Sequence, residues 1–283
     1  KRKRKTDLVG KLRRQKEPVN MMERIYEDVF QDRLEIKEDF KIVVSPRSKG
    51  ESMVDVVEGG TLRFELDVME SSTLKLFIRN LAKAPLHIDM RGLIHANAHV
   101  EFSFLDLEEQ EVTFDEHVRL FQEGASIDNT TSQLVRDGMK KGNIEIRHEA
   151  AYTSGHMHNF AVLFDHAKYE MVANGNIEKK AKESASHQET RVLTLGKDHA
   201  AKVIPLLLID ENEVKASHAL TIGEPDEAQL YYLQSRGLSK EMALGLLSVG
   251  YFMPTIRKIE DETLREQVRE DMERKVGVYG HQG

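Results

Sequence analysis

Residues 61–90 read TLRFELDVMESSTLKLFIRNLAKAPLHIDM. Leu62, Phe64, Leu66 and Val68 alternate with charged or polar neighbours; Leu74, Leu76 and Ile78 repeat the pattern, and Leu86, Ile88 and Met90 follow. Successive side chains of a strand point to opposite faces, so a period of two marks strands that bury one face. The period begins near Lys41 and runs through Val100, Phe102 and Phe104, Val112 and Phe114, Ile144 and Ile146, and Phe160, Val162 and Phe164. Turn residues such as Glu-Gly-Gly at 58–60 and Asn-Gly-Asn at 174–176 separate the runs, and no long helical pattern intervenes. The fold class is therefore mainly β: a sandwich, a barrel or a solenoid. Half-apolar strands with small or polar corners suit a parallel solenoid, although no strict repeat is visible. The expected inward core comprises Phe64, Leu76, Ile88, Phe102, Phe114, Ile146 and Val162.

Outside this region the period changes. Val19, Met22, Tyr26, Val29 and Phe30 recur at spacings of three and four, which predicts an amphipathic helix over about residues 7–39. Beyond residue 222 helical periodicity returns. Pro225 suits the first turn of a helix that Gly237 closes. Ser239 is a candidate N-cap for a second helix running toward Gly250, and Leu264, Val268, Met272 and Val276 mark a third, strongly charged one. The expected organisation is a basic N-terminal helical arm over 1–40, a β core over 41–222 and a C-terminal helical unit over 223–283.

Composition narrows the function. The 283 residues hold 40% hydrophobic and 31% charged residues, enough for a sizeable core. There is no cysteine, so disulfides, thiolate metal sites and cysteine nucleophiles are excluded, and a cytoplasmic location fits. The longest strongly apolar stretch, Val203 to Ile209, falls far short of the roughly 20 residues needed to span a bilayer as a helix, and mean hydropathy is −0.50, so membrane insertion is not expected. A net charge of −7 argues against nucleic-acid binding, although residues 1–16 carry nine Lys or Arg against Asp7. No phosphate-binding Gly-x-x-x-x-Gly-Lys loop and no Gly-x-Ser-x-Gly elbow occurs.

Eleven of the twelve histidines lie between His87 and His218. His156 and His158, two residues apart, share one strand face, a spacing that suits a metal ion; His148, His166 or Glu149 could approach from neighbouring strands. Asp128, Asp137 and Asp165 are the carboxylates for a rival reading, a β-helix or β-barrel enzyme dependent on metal or paired carboxylates. In the helix after Pro225, Ala228, Tyr231 and Tyr232 fall on one side and Leu230 and Leu233 on another, so one apolar face is left for a partner.

Residues 204–252, IPLLLIDENEVKASHALTIGEPDEAQLYYLQSRGLSKEMALGLLSVGYF, resemble the C-terminal core of the SufB/SufD family of iron-sulfur cluster assembly scaffolds. The carrying features are the P-x-L-x-I run ending in Ala-Ser-His at 216–218 and the Asp-Glu-x-x-Leu-Tyr-Tyr-Leu-x-Ser-Arg-Gly run at 226–237. Gly142 to Gly196 resembles the family's β-helix core more loosely, and the chain is expected to be a short form. The resemblance implies a right-handed parallel β-helix, not an enzyme, that pairs with a second copy or a SufB-type paralogue and docks a SufC-type ABC ATPase. The docking candidates are Leu230, Tyr231, Tyr232, Ser235, Arg236 and Gly237. It also implies that His218 is a metal ligand in cluster assembly, with a transient iron-sulfur cluster and no tightly bound cofactor. SufB-type members place a cysteine upstream of this histidine; that position falls near Thr190, so the chain resembles SufD more closely.

Overall fold

A computed structural model of the chain describes residues 21–277. The alternating runs form sixteen strands in two eight-stranded sheets. The first sheet holds β1 (Met22–Tyr26), β3 (Phe40–Val44), β5 (Gly60–Val68), β7 (Leu86–Ile94), β9 (Val112–Leu120), β11 (Met139–His148), β13 (Lys168–Ile177) and β15 (Ala200–Ile209). The second holds β2 (Val29–Ile36), β4 (Lys49–Val56), β6 (Thr73–Asn80), β8 (His99–Asp106), β10 (Ser126–Val135), β12 (Ser154–Leu163), β14 (Ala185–Thr194) and β16 (Lys215–Gly223). Each strand pairs in parallel with the one two positions further along the chain, so the polypeptide winds as a parallel β-helix.

Strand periodicity is strict while coil length is not. In the second sheet the same register position recurs after 20 residues (Val29 to Lys49), 24 (to Thr73), 26 (to His99), 27 (to Ser126), 28 (to Ser154), 31 (to Ala185) and 30 (to Lys215). That drift hides the repeat in the sequence. Each of the first seven turns from the first sheet to the second instead carries a residue in the left-handed region: Asp28, Arg47, Ser71, Asn97, Gly124, Tyr152 and Glu183. From Arg47 on, the N–H of this residue donates to a carbonyl of the next coil, as in Ser71 to Ala96 and Tyr152 to Lys182. The residue after it is small and sealed: Ser48, Ser72, Ala98, Ala125, Thr153 and Ser184 are each at most 2% exposed. A small side chain is what the inside of so tight a corner can hold.

The lumen is filled by Phe64, Leu76, Ile88, Phe102, Phe114 and Ile146, as expected, together with Ile42, Val54 and Phe104. Phe40 stacks on Phe64 with ring centroids 4.2 Å apart, and Phe104 on Phe114 at 4.5 Å. Val162 is buried but not in the lumen. It faces outward with Phe160 and joins a second core beneath the C-terminal helices.

The N-terminal expectation is corrected. Residues 22–36 form β1 and β2 rather than a helix, and the β-helix starts before residue 41. Tyr26 stacks on Phe30 at 4.2 Å to close the first coil, and Phe30, Leu34 and Ile36 point the same way along β2. Residues 1–20, the basic part of the arm, lie outside the described residues.

Three helices follow: α1 (Glu227–Ser235), α2 (Lys240–Ile256) and α3 (Glu262–Val276). Their caps match the local sequence. Asp226 and Ser239 accept from the N–H groups of Gln229 and Met242, and Gly237 takes a positive φ just past the first helix. The second helix continues beyond Gly250 through Pro254 because Val249, Phe252 and Ile256 are buried against Phe77, Leu105, Leu134 and Phe160 of the second sheet. Burial of each such side chain contributes about 1.5–3 kcal/mol, enough to hold a proline within the last turn of a helix. Leu264, Val268, Met272 and Val276 bury the expected edge of α3.

Candidate functional site

The last coil ends the solenoid, and both of its strands are edges. On β16 every residue from Lys215 to Ile222 is exposed, including Leu220 at 41% and Ile222 at 44%; on β15, Leu208 and Ile209 are exposed as well. His218 lies in register with Gln188, whose side chain is buried in the lumen, so the histidine continues an inward row that has no further coil above it. Thr190, in register with Leu220, is the diagonal neighbour of His218 on the same inward side.

The lumen below this end is polar, which alternation alone did not reveal. Thr131 donates to Asn159 Oδ1 at 2.8 Å, and Asn159 Nδ2 donates to Thr190 at 3.2 Å, a ladder across three coils. Deeper in, Asn129 Nδ2 contacts Glu116 Oε1 at 2.5 Å in full burial, and desolvation pushes the Glu116 carboxyl up to about 8, so it is protonated at neutral pH. His148 is also sealed; burial pushes its pKa down to about 4, and its Nδ1 meets Thr153 Oγ1 at 2.8 Å. The available sign was the sequence SIDNTTSQLV of β10, where Asn129, Thr131 and Gln133 take inward positions between Ile127 and Val135.

Residues 38–251 match the family model described as SUF system FeS cluster assembly, SufBD core domain. The chain belongs to the SufBD family. Proteins of this family act in iron-sulfur cluster assembly. It is 32% identical over 172 residues to the iron-sulfur cluster assembly protein SufD of Bacillus subtilis, covering 56% of this chain and 39% of that protein. It is 26% identical over 142 residues to SufD of Escherichia coli, covering 50% of this chain and 33% of that one. An iron-sulfur cluster assembly SufBD family protein of Archaeoglobus fulgidus is 32% identical over 104 residues, 37% of this chain and 28% of that one. The matched segments thus span well under half of these relatives.

Within this SufBD chain His156 and His158 do share the outward face of β12, but each meets a carboxylate on a different neighbouring strand. His156 Nδ1 lies 2.9 Å from Asp128 Oδ1 on β10, and His158 Nδ1 lies 3.3 Å from Glu189 Oε2 on β14. His148 is inside the lumen and Glu149 pairs with Arg119. Among the described residues no group of three or more His, Cys, Asp or Glu is arranged to hold a metal ion.

The carboxylates of the enzymatic alternative serve local structure. Asp137 accepts from the N–H of Gly138 and Asp165 from that of Lys197, both at corners, while Asp128 sits among the histidines. A cleft of about 380 Å³ between the second sheet and the α2–α3 connection has its main cations paired, Lys75 with Glu260 and Lys258 with Glu101.

Helix α1 buries none of its residues. Tyr231 is 75% and Tyr232 55% exposed, Leu230 and Leu233 are half-buried, and Ser235, Arg236 and Gly237 are exposed. The Arg236 guanidinium lies 5.1 Å from the Tyr232 ring centre, and Ser235 Oγ donates to the Tyr232 carbonyl. The second helix therefore does not cover the far face of the first; its own Leu246 is 43% exposed. Among the described residues no helix is long and apolar enough to cross a membrane.

Proposed function

We propose that this SufBD-family chain is a non-enzymatic scaffold subunit of a cytoplasmic SUF-type assembly complex. It pairs through its last coil with a second copy or a SufB-type paralogue and docks a SufC-type ABC ATPase on its C-terminal helical unit. The observation that carries the reading is the position of His218 on β16, an edge strand whose inward row also exposes Leu220 and Ile222. Edge strands pair readily, and a two-fold arrangement closes the contact. Such pairing would enclose His218 between two subunits.

In that setting the neutral imidazole of His218 is a ligand for iron of the nascent cluster, which is cargo rather than a resident cofactor. The Thr190 hydroxyl beside it is a poor substitute for a thiolate, so soft ligands come from the partner. Exposed Tyr231 and Tyr232 offer the ATPase large apolar rings with polar tips, as partner surfaces do.

The test is anaerobic co-expression with the cognate ATPase, followed by iron and sulfide analysis of the complex. His218→Ala is expected to keep the fold and the ATPase association while losing most of the cluster. Undiminished cluster in that variant overturns the role of His218. ATPase binding with no iron dependence selects an adaptor that never touches metal.

A further inference from the structure

On the outer face of the second sheet, Glu101, Asp128, His156, His187 and Ser217 occupy one register row across five consecutive strands. In its middle the rings of His156 and His187 stand with centroids 5.3 Å apart, tilted by 51°. Each ring has its Nδ1 engaged: that of His156 lies 2.9 Å from Asp128 Oδ1, and that of His187 meets Ser217 Oγ at 2.7 Å. On the Nε2 side, His156 has only a long 3.4 Å contact with Ser154 Oγ, and His187 meets no polar partner among the described residues.

This is the arrangement that metal-binding imidazoles adopt, one nitrogen held by a carboxylate or hydroxyl and the other left with its lone pair outward. Two imidazoles on one tetrahedral ion, with metal–nitrogen bonds of about 2.1 Å, have centroids roughly 5 Å apart.

We propose that His156 and His187 form an open, exchangeable binding site for a divalent first-row transition-metal ion, oriented by Asp128 and Ser217 and completed by water. Imidazole ligands suit iron, cobalt, nickel and zinc of this class. With two protein ligands and an exposed position, the site exchanges its ion rather than locking it. It is distinct from His218, which lies one residue from Ser217 but on the opposite face of β16. The site does not depend on the role assigned to His218.

Co2+ titrated into the full, tag-free chain tests this, with visible absorption reporting nitrogen ligation and calorimetry the stoichiometry. One ion per chain is expected. His156→Ala and His187→Ala should each weaken binding by about tenfold or more, and Asp128→Asn by about tenfold, while His218→Ala and His95→Ala bind as the wild type does. All five positions are at least partly exposed, and circular dichroism checks that each variant is folded. Wild-type Co2+ affinity in a folded His156→Ala/His187→Ala double variant overturns the proposal, as does loss of the ion on His218→Ala alone.

Discussion

Lys140 Nζ lies 2.8 Å from Asp106 Oδ2, and both side chains are sealed from solvent at 1% and 0% exposure. Asn80 Nδ2 donates to the other Asp106 oxygen at 2.9 Å, and Lys140 donates to the Glu108 carbonyl at 2.7 Å. Burial lowers the lysine pKa and the carboxylate opposes that, so the two charges depend on each other. Lys140→Met strands the carboxylate and is expected to cost about 3–5 kcal/mol in urea unfolding. Lys140→Met/Asp106→Asn should recover much of that loss; a double variant as unstable as the single one would show that packing, not charge, is at stake.

Glu116 titrates inside the lumen at about 8 and, in the unfolded chain, near the ordinary 4.5. Between those values the folded state keeps a proton that the unfolded state has released. Its contribution is therefore complete below about pH 4.5 and is lost as pH rises toward 8, by at most roughly 1.4 kcal/mol per pH unit. Glu116→Gln keeps an acceptor for Asn129 and removes the titration. The variant should exceed the wild type in thermal stability at pH 8 by more than it does at pH 5, and an equal difference at both would sink the assignment.

The exposed end of the solenoid makes a prediction about assembly. Leu220→Lys/Ile222→Lys puts two charges on the edge strand and should shift the chain, or its complex with a paralogue, to separate subunits by light scattering at micromolar concentration. The wild-type melting temperature should be kept, because neither side chain is buried in the single chain. Retained pairing would place the contact elsewhere.

For the helical unit, Tyr231→Ala/Tyr232→Ala removes two exposed rings that lie outside the subunit's core, Tyr232 meeting the exposed Arg236. A loss of about 2 kcal/mol or more in ATPase affinity with an unchanged melting temperature is expected. Affinity within a factor of two of wild type would move the docking surface off α1.

The first sixteen described residues show how one period is mistaken for another. Met22, Tyr26, Val29 and Phe30 fit a helical face, yet Phe30, Leu34 and Ile36 also fit a strand. Pairing of β1 with β3 and of β2 with β4, together with the Tyr26–Phe30 stack, decides for the strand. Local propensity is a weak prior against such non-local pairing. Val162 departs from expectation for another reason: its period is that of a strand, but α2 and α3 bury the outward face too.

Spacing along the chain is enough to show strands from Lys41 to about residue 222, a buried core that includes Phe64, Ile88 and Phe102, and C-terminal helices bounded by Gly237 and Ser239. Each depends on neighbours within a few residues, where backbone geometry links sequence spacing directly to position. That His187 stands beside His156, that Thr190 neighbours His218 and that Asp106 meets Lys140 follows from the winding of the coils in space. Those partners lie on different coils, and their alignment is set by corners whose left-handed residue is Arg at 47, Ser at 71, Tyr at 152 and Glu at 183. No shared residue type marks these corners, and the coil length grows from 20 to 31 residues between the early and late turns. Register across coils is therefore fixed by the accumulated packing of the solenoid rather than by any pattern that can be counted along the chain.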